Sequence, residues 1–252
     1  MTQAEKANLF KSLHVKGDPL TLYNIWDAGG AKALAEAGAK SVATGSWSVA
    51  AAQGFADGEA IPLPFLLQIV ERIAASVDIP VSVDFEGGYA VEPEGLMENI
   101  RKLISAGAIG INFEDRVVQG EGLYPVAKQV ERIKAIRAAA NQANVPLFIN
   151  ARTDVFLKAD ASEHEARTPD AIERGAAYAE AGADGFFVPG LTQKTLIEQI
   201  VGASSLPVNV MMRGDLKSVS DVAKTGISRA SFGPAPYANA MTDLVERFKN
   251  LT

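Results

Sequence analysis

The stretch "AEAGADGFFVPG" at residues 179–190 ends a helical pattern at a glycine and passes directly into a short apolar run. Similar stretches lie at 35–46 ("AEAGAKSVATGS") and 104–115 ("ISAGAIGINFED"), and "AKTGISRASFGP" at 223–234 is a looser copy. Glycine is favoured just after the last turn of a helix, and a short apolar run is typical of a buried strand. The repeat therefore predicts four helix-to-strand units of one kind.

A second recurring form alternates with the first. In "VDIPVSVDFE" (77–86), "ANVPLFINAR" (143–152) and "SSLPVNVMMR" (204–213), a proline blocks the helix and an apolar strand follows. Together with "LTLYNIW" (20–26), these forms predict eight strands. We place them near residues 21–26, 41–45, 80–85, 109–114, 146–151, 184–188, 207–211 and 228–232.

Amphipathic segments such as 94–106 and 127–143 separate the apolar runs. Apolar strands divided by helices indicate parallel strands whose crossover helices cover the sheet. Eight such units in 252 residues predict a (β/α)8 TIM barrel, with residues 1–252 forming a single domain. A doubly wound open sheet is the alternative, because periodicity does not show whether a sheet closes.

Composition narrows the expected partners and compartment. The formal net charge is −6 and the basic residues are scattered, so we expect no nucleic-acid partner. No run approaches the roughly 20 apolar residues of a membrane span, and the N-terminus does not resemble a signal peptide, which predicts a cytoplasmic protein without membrane contact. The absence of cysteine excludes disulfides, thiolate metal ligands and a cysteine catalyst.

Polar residues collect at the predicted carboxyl ends of the strands, where barrels carry their active sites. Taken singly, Asp27, Asp115 or Asp154 could as well be a structural residue, a helix cap or a solvated loop charge, as a residue of the site. Together the acidic groups repel one another and require protons or a cation. The residues at these ends are Trp26, Asp27, Gly45, Ser46, Trp47, Asp84, Glu86, Glu114, Asp115, Arg152, Asp154 and Asn209.

A hard divalent cation suits this set, because carboxylates without thiolates or imidazoles favour Mg²⁺ or Mn²⁺. Asp84 and Glu86 are two residues apart, so on a strand both would point into the barrel. Gly87 and Gly88 then allow a sharp turn and leave room for a ligand. His14 and His164 lie away from the strand ends and are interpreted as incidental surface residues.

The chemistry therefore falls on a metal, carboxylates, Arg152 and Tyr89. A metal holding a 2-oxo acid acts as a Lewis acid and stabilises the enolate formed when a neighbouring bond breaks. Decarboxylation by this route needs no strong base, whereas aldol-type cleavage of a hydroxy acid needs one, and a carboxylate could serve.

Five motifs carry a family resemblance: "AGAKSVATGSWSVAAAQGFAD" (37–57), "VSVDFEGGY" (81–89), "INFED" (111–115), "NART" (150–153) and "RASFGP" (229–234). From about Tyr23 to Tyr237 the chain resembles the short members of the isocitrate lyase/phosphoenolpyruvate mutase superfamily. The resemblance implies a (β/α)8 barrel whose last helix is exchanged between paired subunits. It also implies a homodimer or homotetramer acting on a small 2-oxo or dicarboxylic acid.

The resemblance assigns roles by position. It places Asp84 as the direct metal ligand, with Asp57, Glu86 and Glu114 in the metal and water shell. Arg152, Glu114 and Asp57 become the catalytic candidates. The substrate-binding candidates are Gly45, Ser46, Trp47, Asp84, Arg152 and Asn209. For Arg152 a structural salt bridge to Glu114 is the alternative, and for Trp47 core packing.

Departures from the family pattern define three hypotheses. The loop "EDRVVQGEGLYPVA" (114–127) lacks the catalytic cysteine of isocitrate and methylisocitrate lyases and offers only Gln119 and Glu121 for phosphoryl handling. A histidine of the mutase is replaced by Pro189 or a neighbour. We therefore expect a Mg²⁺-dependent lyase that cleaves a C–C bond of a small 2-oxo or 2-hydroxy dicarboxylate through a metal-bound enolate, oxaloacetate decarboxylase-like or acylmalate lyase-like. The alternatives are a phosphonopyruvate hydrolase or mutase, and a non-catalytic 2-oxo acid binding protein.

Two loops are expected to set the substrate size, at 115–126 and 153–168. The second could bring Lys158, His164 or Arg167 over the site, or could be only surface.

Overall fold

The computed structural model describes residues 1–251, and Thr252, the last residue of the predicted domain, lies outside the described residues. Within that range nine strands form one parallel sheet in the order β1-β9-β8-β7-β6-β5-β4-β3-β2. The strands are β1 (Leu20–Leu22), β2 (Asn24–Ile25), β3 (Val42–Thr44), β4 (Val81–Asp84), β5 (Gly110–Glu114), β6 (Phe148–Arg152), β7 (Gly185–Phe187), β8 (Val208–Met211) and β9 (Arg229–Ser231).

The sheet closes on itself through its first strand. Strand β1 pairs with β9 and β2 pairs with β3, and only Tyr23 separates β1 from β2 along the chain. The two short strands therefore occupy together the place of the first strand in a (β/α)8 barrel. This confirms the predicted fold and all eight strand positions, and the open-sheet alternative is wrong.

Helices connect the strands and cover the outside of the barrel. They are α1 (Gln3–Ser12), α2 (Ala28–Glu36), α3 (Ser46–Ala52), α4 (Leu63–Ser76), α5 (Pro93–Ser105), α6 (Val126–Gln142), α7 (His164–Glu180), α8 (Lys194–Ala203), α9 (Val219–Val222) and α10 (Ala235–Lys249). In residues 1–251, no helix combines the length and the apolar character needed to cross a membrane.

The repeated glycines end helices as predicted. Gly38, Gly107, Gly182 and Gly226 all have positive φ, between 85° and 103°, a region that costs glycine little. At Gly107 packing adds a second requirement, because a Cβ atom there would lie 2.6 Å from the Cβ of Ala74. The sequence repeat thus reflects a recurring backbone turn from helix to strand.

Strand residues alternate between two environments. Apolar side chains such as Val83, Ile111 and Val210 are fully buried in the core cluster, whereas the residues between them are polar and hydrogen-bond to one another across strands. Because successive side chains of a strand point to opposite faces, the apolar set faces the helices and the polar set faces the barrel interior. The interior is therefore a polar layer beneath the ends of the strands.

The interpretation of the histidines as surface residues is wrong. The ring of His14 stacks on Phe148 at 4.2 Å, and its Nδ1 contacts the Phe10 carbonyl at 2.8 Å. His164 is 4 % exposed and packs edge-on against Phe156. Aromatic side chains pack against both imidazole rings, so neither histidine is a freely solvated surface residue.

The predicted loops are more ordered than periodicity suggested. Residues 115–124 form a small hairpin in which Arg116 and Leu123 make an antiparallel bridge. The expected loop 153–168 ends earlier, because α7 begins at His164. Two of the residues proposed to reach over the site, His164 and Arg167, therefore belong to a helix.

Candidate active site

A cavity of about 390 Å³ lies at the carboxyl ends of the strands, near the lower end of the volumes of small-molecule sites. Six predicted site residues line it: Gly45, Ser46, Trp47, Asp57, Asp84 and Arg152. Trp47 is 40 % exposed and meets Tyr237 edge-on, so it forms cavity wall and is not packed in the core. In the described chain, Glu86, Glu114 and Asn209 are not among the lining residues.

Asp84 ends β4 and is held from three directions. Its Oδ2 accepts hydrogen bonds from the backbone N–H of Ser46 at 3.1 Å and from the Ser46 hydroxyl at 2.9 Å. Its Oδ1 accepts from the side-chain amide of Asn112 at 3.3 Å. Ser46, a predicted substrate-binding residue, therefore already donates to a carboxylate of the protein itself.

Arg152 ends β6 and is saturated by acidic partners. Its Nε and Nη2 bind both oxygens of Asp154 at 2.6 and 2.9 Å, and its Nη1 lies 2.8 Å from Glu114 Oε2. Asp84 Oδ1 is 4.0 Å from the same Nη1. Arg152, a predicted substrate-binding residue, therefore makes its bidentate contact with Asp154, and the alternative salt bridge to Glu114 is present.

The remaining predicted acids are electrostatically coupled to this centre. Burial, and then the nearby Asp57 and Asp84 carboxylates, raise the pKa of Glu86 to about 8. Burial and Asp84 likewise raise the pKa of Asp57. Burial also raises the pKa of Glu114, against the opposing effect of the Arg152 guanidinium. The four acids therefore form one repelling group.

Glu86 reaches this group by a route that strand alternation does not provide. Strand β4 ends at Asp84, and Glu86 has a φ of +50°, followed by Gly88 at +84° and Tyr89 at +56°. The Glu86 carboxylate accepts from the N–H of Glu59 at 2.9 Å, and Glu59 Oε1 in turn accepts from the N–H of Tyr89 at 2.8 Å. The loop that contains Asp57 thus holds the turn after β4.

A buried polar layer supports the cavity, and of its residues only Asn209 was predicted from the sequence. Asn112 Oδ1 accepts from Asn150 at 2.9 Å and from Arg229 at 3.2 Å, while Ser231 donates to Asn209 at 3.1 Å. Asn209 is therefore located beneath the cavity and contacts a residue that lines it. The available signal was the polar residue two positions before the end of each strand, in "INFE", "INAR" and "VNVM".

The donors around the cavity fit a hard cation. Among residues 1–251, no three acidic or imidazole side chains converge closely enough to form a ready-made ion cage. Mg²⁺ does not require one, because it takes one or two carboxylates directly and keeps several waters. Asp84 and Asp57 both line the cavity, and the raised pKa values of Glu86 and Asp57 mean that burial and neighbouring carboxylates disfavour their ionised forms, which a bound cation would favour.

A parallel barrel with an acidic cavity at the carboxyl ends of its strands defines the class of (β/α)8 proteins that bind small ligands at this face. Within that class, the chain belongs to the phosphoenolpyruvate phosphomutase family, whose family model matches residues 10–252, and so to the isocitrate lyase/phosphoenolpyruvate mutase superfamily.

Three relatives illustrate the similarity. A crystal structure of a protein provisionally called a phosphonomutase, from Burkholderia cenocepacia J2315, is 46 % identical with a TM-score of 0.97, covering 100 % of both chains. The uncharacterized protein Rv1998c of Mycobacterium tuberculosis (strain ATCC 25618 / H37Rv) is 31 % identical over 91 % of this chain and 83 % of its own. An oxaloacetate decarboxylase of Bradyrhizobium sp. (strain BTAi1 / ATCC BAA-1182) is 29 % identical over 82 % and 71 %.

Proposed function

We propose that this protein is a Mg²⁺-dependent lyase, able to use Mn²⁺, that cleaves a C–C bond of a small 2-oxo or 2-hydroxy dicarboxylate. The observation that carries the proposal is the group of four mutually repelling carboxylates, Asp57, Asp84, Glu86 and Glu114, beside one small cavity that also contains Arg152. The similarity to an oxaloacetate decarboxylase supports the same reaction class.

The roles follow from position. A bound Mg²⁺ would supply Lewis-acid polarisation of the carboxylate and the adjoining carbonyl or hydroxyl oxygen. Asp84 would hold the ion, with Asp57, Glu86 and Glu114 orienting its waters. Asp57 lines the cavity, so it is the first choice for a base, with Glu114 the second. Arg152, fixed between Glu114 and Asp154, would stabilise the negative charge that develops on the substrate oxygens.

Two reactions fit this arrangement. In decarboxylation of oxaloacetate the C3–C4 bond breaks, CO₂ leaves, and the electron pair remains as the enolate of pyruvate, which then takes a proton. In retro-aldol cleavage of a 2-hydroxy dicarboxylate, a base takes the hydroxyl proton, C2 becomes a carbonyl and the C2–C3 bond breaks. The first reaction needs only electrostatic stabilisation, whereas the second also uses the base.

The test is turnover of oxaloacetate and 2,3-dimethylmalate by purified protein, with Mg²⁺ and with a chelator, followed by NMR. We expect metal-dependent formation of pyruvate from at least one of them. No turnover of either would contradict the proposal. If NMR showed a bound but unchanged 2-oxo acid over hours, the protein would instead be a binding protein.

A phosphorus–carbon bond enzyme is the second candidate, favoured by the similarity to the Burkholderia protein provisionally called a phosphonomutase. Against it, the hairpin at 115–124 is short and presents only Gln119 and Glu121 as polar side chains near its tip. Release of inorganic phosphate from phosphonopyruvate would decide for this candidate.

A further inference from the structure

Arg213 is a cationic side chain of the cavity that the proposed function has not used. It follows β8 and lines the cavity together with Asp57, Asp84 and Arg152. Its side chain is exposed, and within the described residues it has no ion pair and no hydrogen bond. Gly214 follows with a φ of +56°, a turn that suits glycine.

The two arginines of the cavity differ in how many of their N–H groups have acceptors. Arg152 makes contacts of 2.6 to 2.9 Å with Asp154 and Glu114, so most of its N–H groups already have acceptors. Arg213 keeps its whole guanidinium fork free, in a cavity that is walled on other sides by apolar residues such as Phe187, Pro189 and Met211. A planar fork of this kind recognises a carboxylate through two parallel hydrogen bonds.

We propose that Arg213 binds the substrate carboxylate that is remote from the 2-oxo or 2-hydroxy acid end. This inference rests on the proposed function, in which the acid end of the substrate lies beside Asp84. It assigns the substrate a second carboxylate, and it assigns Arg213 the role of choosing substrates by that group.

The position of the Arg213 charge also distinguishes decarboxylation from retro-aldol cleavage. In decarboxylation the remote carboxylate leaves as neutral CO₂, so an arginine that holds it stabilises the ground state and opposes the reaction. In retro-aldol cleavage the carboxylate stays. When the C2–C3 bond breaks, the electron pair on C3 delocalises into that carboxylate, whose added negative charge Arg213 stabilises, before C3 takes a proton from solvent. Arg213 therefore favours cleavage of a 2-hydroxy dicarboxylate over decarboxylation of oxaloacetate.

The experiment compares wild type with Arg213→Gln on 2,3-dimethylmalate and on oxaloacetate, each with Mg²⁺. We expect kcat/KM for dimethylmalate cleavage to fall about 100-fold, the effect of losing a charged hydrogen-bond donor to the transition state. Decarboxylation of oxaloacetate should fall much less or rise. Arg213→Lys should restore part of the cleavage activity, since it keeps the charge but not the fork.

Two controls separate the possible failures. Oxalate, which occupies only the acid end, should bind wild type and Arg213→Gln with equal affinity by calorimetry, which shows that the variant is folded. Arg72→Gln removes an exposed arginine from α4 and should leave both reactions unchanged.

If wild type turned over neither substrate, the proposed function would fail. If wild type only decarboxylated oxaloacetate, or if Arg213→Gln lowered both reactions equally or neither, the inference about Arg213 alone would be overturned.

Discussion

The side-chain amide of Asn112 donates a hydrogen bond to Asp84 across the β4–β5 pair. Other buried side chains fix the direction of that hydrogen bond. Asn150 and Arg229 both donate to Asn112 Oδ1, so the amide must turn its N–H₂ group toward the Asp84 carboxylate. The polar interior of the barrel thereby presets the orientation of the proposed metal ligand.

Replacing Asn112 should cost stability as well as function. Asn112→Ala leaves the donors of Asn150 and Arg229 without their acceptor in a fully buried layer. Each unsatisfied buried donor costs about 1 to 3 kcal/mol, so with two donors we expect the free energy of unfolding to fall by about 2 to 6 kcal/mol. Urea denaturation measures this. Asn141→Ala, at an exposed position of α6, should change it by less than about 0.5 kcal/mol.

Removing the Asp84 carboxylate should abolish metal binding. Asp84→Ala takes away the carboxylate held by Ser46 and Asn112 at the edge of the cavity. Because Mg²⁺ binds through one or two protein carboxylates, we expect at least a 100-fold weaker affinity by calorimetry and loss of metal-dependent turnover. Asp78→Ala, at an exposed position before β4, is the matched control. Unchanged Mg²⁺ binding by Asp84→Ala would remove the basis of the proposed function.

The stability of the protein should depend on pH through His14. Burial, and then the charge of Arg229, lower the pKa of His14 to about 3. Between pH 6.5 and 3 the unfolded chain carries a proton on this ring that the folded protein does not, so stability rises with pH in that window and is lost on acidification. The loss should reach about 1.4 kcal/mol per pH unit, or about 2 kcal/mol from pH 7 to 5.

The comparison that isolates this effect uses His14→Phe, which keeps an aromatic ring beside Phe148 and cannot titrate. The carboxylates titrate in both proteins, so the difference in unfolding free energy between pH 7 and pH 5 reports His14. Equal losses in wild type and variant would contradict the assignment.

Helix α10 should support association between subunits. Leu244, Val245 and Phe248 are 60, 48 and 65 % exposed and form an apolar face on α10. An exposed apolar face of this kind is typical of a protein–protein contact. We expect a homodimer or homotetramer in light scattering, and Phe248→Glu should shift it toward monomer. Asn250→Glu adds the same charge at the end of the same helix and should not. A monomeric wild type would contradict the predicted assembly and the predicted exchange of the last helix.

The barrel could be predicted because its signals are local. A glycine after each helix or a proline before each strand marks every boundary of the repeat, and these residues act through their own backbone. The split of the first strand at Tyr23 could not be predicted, because it reflects how β1 and β2 pair with different neighbours when the sheet closes. Closure depends on the whole chain.

Only part of the candidate site could be predicted, because local signals place residues at strand ends but do not show which side chains meet across the barrel. Asp84, Glu114 and Arg152 lie at strand ends, so counting along the chain found them. The engagement of Arg152 by Asp154, and of Ser46 by Asp84, depends on side-chain geometry across the barrel that no spacing encodes. Arg213 was missed because it follows its strand by two residues, in a stretch where a charged residue is ordinary surface.

The four helix-ending glycines share one backbone conformation but not one neighbourhood, which bears on how freely each position can vary. At Gly38 no atom lies within 4 Å of where a side chain would begin, whereas at Gly107 the space is filled by Ala74. A substitution at Gly38 meets only the conformational cost of its φ, about 1 kcal/mol, while the same change at Gly107 also displaces a neighbouring helix. In a library of variants, the first repeat should therefore tolerate alanine or asparagine where the second does not.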